Sequence, residues 1–333
     1  SDDANGALLL EPTATNLIPY SEDFSQWTEH TSPSLTSNTL ISPDGNLTAN
    51  TLSGTLSGSR IQLSLGVLSA GESTQSIFVK YKSEDVTINF KNNVFGGTNQ
   101  FLISSIGVTH TSGSELNKIE DFGNGWYRIS ITYTVDGITG SFIQVFADNN
   151  TPYTREIYIW GAQLEQNSYA TSYIKNEGTA LGVTRVADTA SDAGNSTVIN
   201  SSQGVLYYEG SFKENASNQQ LTLNNGTTAE RIVLEVRNSG QLLRFNVRSS
   251  DDNSVEIDQA ITPNTPYKLA LLWSGSVAKF YLNGSLIGSD SSVTVPIGLS
   301  SLSFDSGTNS VNFYSKTKSV QVYTTALSDA ELT

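Results

Sequence analysis

The fold can be read from Pro266-Tyr267-Lys268-Leu269-Ala270-Leu271-Leu272-Trp273 and the following Val277-Ala278-Lys279-Phe280-Tyr281-Leu282-Asn283-Gly284. Both runs have strand length and are rich in aliphatic and aromatic residues. Asn283-Gly284 is the strongest two-residue hairpin signal, since a type I′ turn needs positive φ at both positions. Outward from this stretch the period is two almost everywhere. Residues 75–82 put Ile77, Val79 and Tyr81 on one face; 128–135 put Ile129, Ile131, Tyr133 and Val135 opposite Ser130, Thr132 and Thr134. Such alternation marks half-buried antiparallel strands. Residues 142–146, 156–163, 232–237 and 242–247 repeat it between clusters of Asn, Asp, Gly and Ser. Only 327–332 reads as helix, with Ser328 as its N-cap. The expected class is all-β, built as two β-sandwiches.

Composition agrees and removes several kinds of function. Charged residues are 15% of the 333, below the usual share of about 25%. Ser and Thr fill roughly a quarter of the chain, as suits many solvent-facing strands. Zero cysteines exclude disulfides, thiol nucleophiles and cysteine-ligated zinc or iron-sulfur groups. Two histidines, His30 and His110, are too few for a His-rich metal site. The net charge of −14 opposes nucleic acid and anionic membranes, whose binding relies on Lys and Arg. No apolar run approaches the length of a membrane helix, so neither membrane insertion nor an uncleaved signal peptide is expected. The missing initiator Met suggests a piece of a longer polypeptide.

Between Tyr173 and Gln203 alternation fades into small and polar residues, including Gly178, Gly182, Gly194 and Asn195. The expected division is therefore a domain over 1–175, a linker over 176–202 and a second domain over 203–333, each domain long enough for a two-sheet core. No period of 20 to 50 residues recurs, which excludes a solenoid or propeller.

Four segments of the first half, in order, are Asn16-Leu17-Ile18-Pro19-Tyr20-Ser21-Glu22-Asp23-Phe24-Ser25-Gln26-Trp27, Ser42-Pro43-Asp44-Gly45, Gly123-Asn124-Gly125-Trp126-Tyr127-Arg128 and Tyr158-Ile159-Trp160-Gly161-Ala162-Gln163-Leu164-Glu165. They resemble the jelly-roll carbohydrate-binding modules of bacteriophage tail fibres and other virion proteins, over roughly residues 8–190. The resemblance implies a noncatalytic sandwich displaying a glycan-binding or docking surface. Read as chemistry, Trp27, Trp126 and Trp160 are packing residues, and Asp44-Gly45 and Gly123-Asn124-Gly125 are turns. Related modules often hold a structural calcium through an acid just after the opening Phe and another at the start of the final strand. Those positions are Ser25 and Trp160, which offer no carboxylate. Asp23 and Glu22 stand nearby, but six to eight oxygens cannot be assembled from this sequence. No cofactor is expected, with structural calcium kept as the alternative.

The stretch quoted first resembles the central hairpin of concanavalin A-like, laminin-G-like lectin domains. The closing Ser319-Val320-Gln321-Val322-Tyr323 strand, running into Leu327-Ser328-Asp329-Ala330-Glu331-Leu332, fits the same pattern over 203–333. Because that fold also hosts glycoside hydrolases, the acids matter. Glu256-Ile257-Asp258 looks like the start of the laminarinase motif Glu-x-Asp-x-x-Glu, but Ile261 stands at the third acid. Retaining hydrolysis needs a nucleophile and a proton donor about 5 to 5.5 Å apart. This pair lacks its partner and is read as a solvated strand face. His30 and His110 lie in polar loops away from any Gly-x-Ser-x-Gly elbow and read as surface residues.

The function expected is noncatalytic glycan and receptor binding in a phage tail fibre or other virion appendage. The partners would be a cell-surface glycan or polysaccharide and other virion proteins, and the parent assembly a homotrimer; the location is virion or extracellular. The alternatives are the carbohydrate-binding region of a secreted polysaccharide-degrading enzyme and a structural head-fibre or decoration protein. Candidate sugar contacts are Asn92, Asn93, Phe95, Gln100, Tyr153 and Arg155, which combine stacking faces with amide and guanidinium donors in loop-like segments. The competing reading is that they only solvate turns.

Overall fold

The computed structural model describes residues 6–54, 56, 58–91, 98–146, 155–213, 218–237, 241–250 and 252–333. They form two compact units: Thr13–Val186, and residues 6–12 together with Ala187–Thr333.

In the first unit Ala49–Gly54 pairs with Arg155–Glu165, Arg60–Val67 with Gly140–Phe146, and Gly71–Tyr81 with Trp126–Val135, all antiparallel. Each pair is nested inside the previous one. The first and third lie in one six-stranded sheet and the second in the other. A hairpin of hairpins that alternates between two sheets is a jelly roll. Alternation supplies its core: Ile77, Val79, Ile129, Ile131, Tyr133, Ile143 and Val145 belong to one buried cluster.

Gly71–Tyr81 is buried on both faces over much of its length, unlike the half-buried strand that its pattern predicts. The cause is the chain beyond Glu165, which returns across the outer face. Thr74 Oγ1 donates to the Asn167 carbonyl at 2.8 Å, Arg128 Nη1 donates to that of Thr171 at 2.5 Å, and Phe78 packs against Trp160 and Tyr173. Trp27, Trp126 and Trp160 are each 4% exposed or less and so act in packing. Gly123, Asn124 and Gly125 all have positive φ, and the Trp126 amide closes their turn on the Gly123 carbonyl.

The division of the chain is not the one expected at 175 and 203. Val183–Arg185 pairs with Ala14–Asn16, so residues 176–186 continue the first unit. Leu8–Leu9 instead pairs with Ser315–Tyr323 at the edge of a sheet of the other unit, and the Glu11 amide donates to Asp188 Oδ2 at 2.9 Å.

That other unit is a second sandwich. One sheet runs Leu8–Leu9, Ser315–Tyr323, Gln203–Phe212, Pro266–Ser274, Val277–Leu282, Ser285–Asp290; the other runs Asp252–Ala260, Leu242–Ser249, Arg231–Arg237, Gln219–Asn224, Ser301–Ser303. Between them lie Leu206, Tyr208, Leu234, Phe245, Leu271, Trp273 and Phe280. Asn283 and Gly284 take φ of 49° and 80°, the positive values that their hairpin requires. Helix Asp329–Leu332 follows Ser328, whose amide and hydroxyl both donate to the Glu331 carboxylate.

Candidate functional site

The acidic pair noticed in the sequence lies on the outer face of the five-stranded sheet. In Leu242–Ser249, Leu243, Phe245 and Val247 point to the core, which turns Arg244 and Asn246 outward. In Asp252–Ala260, Val255 and Ile257 face the core and Glu256 and Asp258 face out. Register sets Arg244 opposite Asp258 and Asn246 opposite Glu256. Arg244 then takes both carboxylates: Nε and Nη2 donate to the two oxygens of Asp258 at 2.7 and 2.8 Å, and Nη1 lies 2.8 Å from Glu256 Oε1. Two parallel bonds to one carboxylate make this a fork-to-fork pair. The row continues through Glu235, opposite Arg244 on Arg231–Arg237, which accepts from Gln220 Nε2 at 3.1 Å. Asn246 Nδ2 donates to Glu256 at 3.3 Å, while its buried Oδ1 has no hydrogen-bond partner among the described residues.

This arrangement holds charge rather than moving protons. The hydrogen bonds from Arg244 keep Asp258 below the usual carboxylate range, against the opposing effect of burial. A general acid must hold its proton near the working pH, so Asp258 is in the wrong state to protonate a leaving group. Ile261, where the motif would place its third acid, packs against the core. The clamp was missed in the sequence because it depends on strand register; the available signal was an arginine alternating with Leu243, Phe245 and Val247.

Both histidines lie in strands rather than in the polar loops that the sequence suggests. His110 is half-buried rather than a surface residue: it packs on Phe101, with Nε2 3.2 Å from Asn99 Oδ1 and Nδ1 3.2 Å from Asn117 Nδ2. Both ring nitrogens are thus taken by amides. His30 ends strand Thr28–His30 and is also half-buried.

Of the candidate sugar contacts, Asn92, Asn93, Phe95 and Tyr153 lie outside the described residues. Gln100 sits within strand Thr98–Ser104 beside Asn89, and Arg155 opens Arg155–Glu165 and donates to the Asp85 carbonyl. These two belong to different sheets of the jelly roll, so the structure does not bring them together.

The residues near the opening Phe do not suit calcium. Asp23 caps its own turn, accepting from the Ser25 amide and hydroxyl and from Gln26 Nε2. Glu22 accepts from the Tyr173 hydroxyl at 3.0 Å and pairs with Lys175 at 3.4 Å. The Lys175 ammonium already serves Glu22, and Trp160 is buried in an aromatic cluster. Among the described residues no three His, Cys, Asp or Glu side chains converge on one point.

Residues 211–333 match the sequence model of the concanavalin A-like lectin/glucanases superfamily (Laminin_G_3). A search of curated proteins found no match. Similar solved structures include a SAP-like pentraxin from Limulus polyphemus (13% identity, 43% of this chain and 72% of that one, TM-score 0.33). The carbohydrate-binding module CBM66 from Bacillus subtilis is another (16%, 37% and 75%, 0.29), as are domains LG4-5 of the mouse laminin alpha1 chain (11%, 91% and 96%, 0.26). The all-β class and the laminin-G-like character of the later unit agree with the sequence reading.

Proposed function

We propose that the chain is a noncatalytic saccharide-binding part of an extracellular or virion appendage, with a cell-surface glycan as its partner. The observation that carries this reading is the Arg244 clamp on Glu256 and Asp258. The superfamily matched by 211–333 joins lectins and glucanases in its name. A glucanase needs one carboxyl free to give a proton and another free to attack. Here one guanidinium engages both, which favours the lectin side.

The appendage setting rests on the likeness of the 16–27 and 158–165 segments to tail-fibre modules. Virion proteins would be the neighbours, and a threefold parent would let weak sites act together. This chain alone, at −14, is expected to be monomeric at low concentration.

The test is the intact chain on a glycan array, together with a polysaccharide panel followed by reducing-end release and unsaturated-product absorbance. Binding without turnover is expected. Turnover that disappears in Glu256→Gln would overturn the noncatalytic reading, and an array with no bound glycan would overturn the saccharide reading.

A further inference from the structure

The six-stranded sheet of the later unit has its own outward face, away from the acidic pair. Along Gln203–Phe212, Leu206 and Tyr208 enter the core, so Tyr207 and Glu209 face out. Register aligns Gln321, Tyr207, Ala270 and Tyr281 in one row across four strands. Ala270 is the small member, and both it and Tyr281 are buried. Leu327 and Leu332 of the C-terminal turn pack on Val205, Ala270, Leu272 and Tyr281 and form a wall. The wall is tied down, since the Tyr281 hydroxyl donates to Asp329 at 2.7 Å and Lys279 pairs with the same carboxylate.

The result is a groove of about 710 Å³, within the roughly 300–1,000 Å³ of small-ligand sites. Tyr207, Tyr323, Glu209, Gln321 and Lys268 line its open side. The Tyr207 hydroxyl donates to Glu209 Oε2 at 3.2 Å, and Lys318 lies 3.1 Å from the other Glu209 oxygen. The Tyr323 hydroxyl donates to Gln321 at 2.5 Å. Burial, with help from the Glu209 charge, pushes the Tyr207 hydroxyl up to about 12, so it stays a neutral donor. Aromatic faces beside a carboxylate and an amide suit a ligand with C–H surface on one side and hydroxyls at its rim.

We infer that this groove binds a short neutral oligosaccharide, with Tyr207 and Tyr323 offering ring faces and Glu209 and Gln321 hydrogen bonding to hydroxyls. The inference rests on the saccharide-binding reading and adds to it a place and a ligand class. Uronate, sialylated and sulfated chains are disfavoured by charge: Glu209, paired with Lys318, and Glu331 line the groove with Lys268, on a strongly acidic chain.

The test uses the whole chain with neutral gluco-, galacto- and manno-oligosaccharides of two to four residues, and uronate and sulfated oligosaccharides in parallel. A neutral member should bind, and hydrogen-exchange protection should rise in Gln203–Phe212 and Ser315–Tyr323. Tyr207→Ala and Tyr323→Ala should each weaken binding about tenfold, with Tyr207→Phe losing less because it keeps its ring. Protection read on the unsubstituted chain keeps the test valid if a variant misfolds. Binding that protects Arg231–Arg237 and Leu242–Ser249 instead would overturn the groove and leave saccharide binding standing. A preference for the charged oligosaccharides would overturn the ligand class. No binding by any saccharide would remove the groove and the broader reading together.

Discussion

Replacing Asn16 by Ala should destabilise the Thr13–Val186 unit by about 4 kcal/mol. The side chain is fully enclosed and makes four hydrogen bonds to main chain. Nδ2 donates to the carbonyls of Ala162 and Ile174 at 3.3 and 2.8 Å; Oδ1 accepts from the amides of Ile18 and Leu164 at 3.0 and 3.2 Å. Ala162 sits where Arg155–Glu165 changes register between Trp160 and Gln163, and Ile18 and Ile174 lie outside that strand, so its pairing does not replace their bonds. At about 1 kcal/mol net per bond the four give about 4 kcal/mol, and orphaned buried amides push the figure upward. At about 2–4 °C per kcal/mol in a unit of this size, the melting point should fall by roughly 8–16 °C. Asn16→Asp is the sharper variant, because its carboxylate oxygen would face the two carbonyls that Nδ2 now serves. Its penalty should shrink in acid, where the protonated carboxyl can donate. Calorimetry of the whole chain with hydrogen exchange resolved by peptide measures both effects. The control is Thr15→Ala, which removes one exposed bond to Thr184 and should change little. A loss below about 1 kcal/mol for both Asn16 variants would refute the reasoning, as would protection lost equally from 13–186 and 187–333.

Two further outcomes follow from buried groups. Glu165 is fully enclosed, and burial raises its carboxyl above the ordinary value despite bonds from Thr171 and Gln163. The native state then holds this proton to higher pH than the unfolded chain, so stability falls as pH rises from about 4.5 through the raised value. Glu165→Gln should gain on the unsubstituted chain as pH climbs from 4.5 to 8 in denaturant titrations, and a constant difference would contradict the assigned direction. Gly204→Ala should destabilise the later unit by about 1–3 kcal/mol through overpacking. Its added carbon would lie 2.5 Å from the Trp273 ring and 2.6 Å from the Tyr323 carbonyl, neither of which can retreat easily. Unchanged unfolding of the 187–333 peptides would show that the sheet yields there.

Much of the sandwich architecture was legible because local chemistry specifies it. Alternation placed Ile77, Val79, Ile129 and Ile131 in a core, and Asn283-Gly284 marked its hairpin before any contact was known. Segment 16–27 stood out as a motif, but its pattern could not disclose that Asn16 joins main chain from residues 162 to 174. The pairing of Leu8–Leu9 with Ser315–Tyr323 left even less trace, since two exposed leucines have no period to read. The Arg244 clamp and the row from Gln321 through Tyr207 and Ala270 to Tyr281 share one cause: each depends on which residue of a neighbouring strand falls opposite, and register is set by the assembled sheet.

The chain order within the two units bears on how the molecule is made. The later sandwich takes one edge strand from residues 8–9 and its remaining strands from beyond 200, with the jelly roll between them in the sequence. As synthesis proceeds from the N-terminus, the jelly roll can close once residue 186 has emerged. Leu8–Leu9 has to wait, unpaired, for Ser315–Tyr323. A fragment beginning at 203 would therefore expose the flank of Ser315–Tyr323 that Leu8–Leu9 covers. Bare strand flanks recruit other chains, so such a fragment is expected to aggregate where the full chain does not.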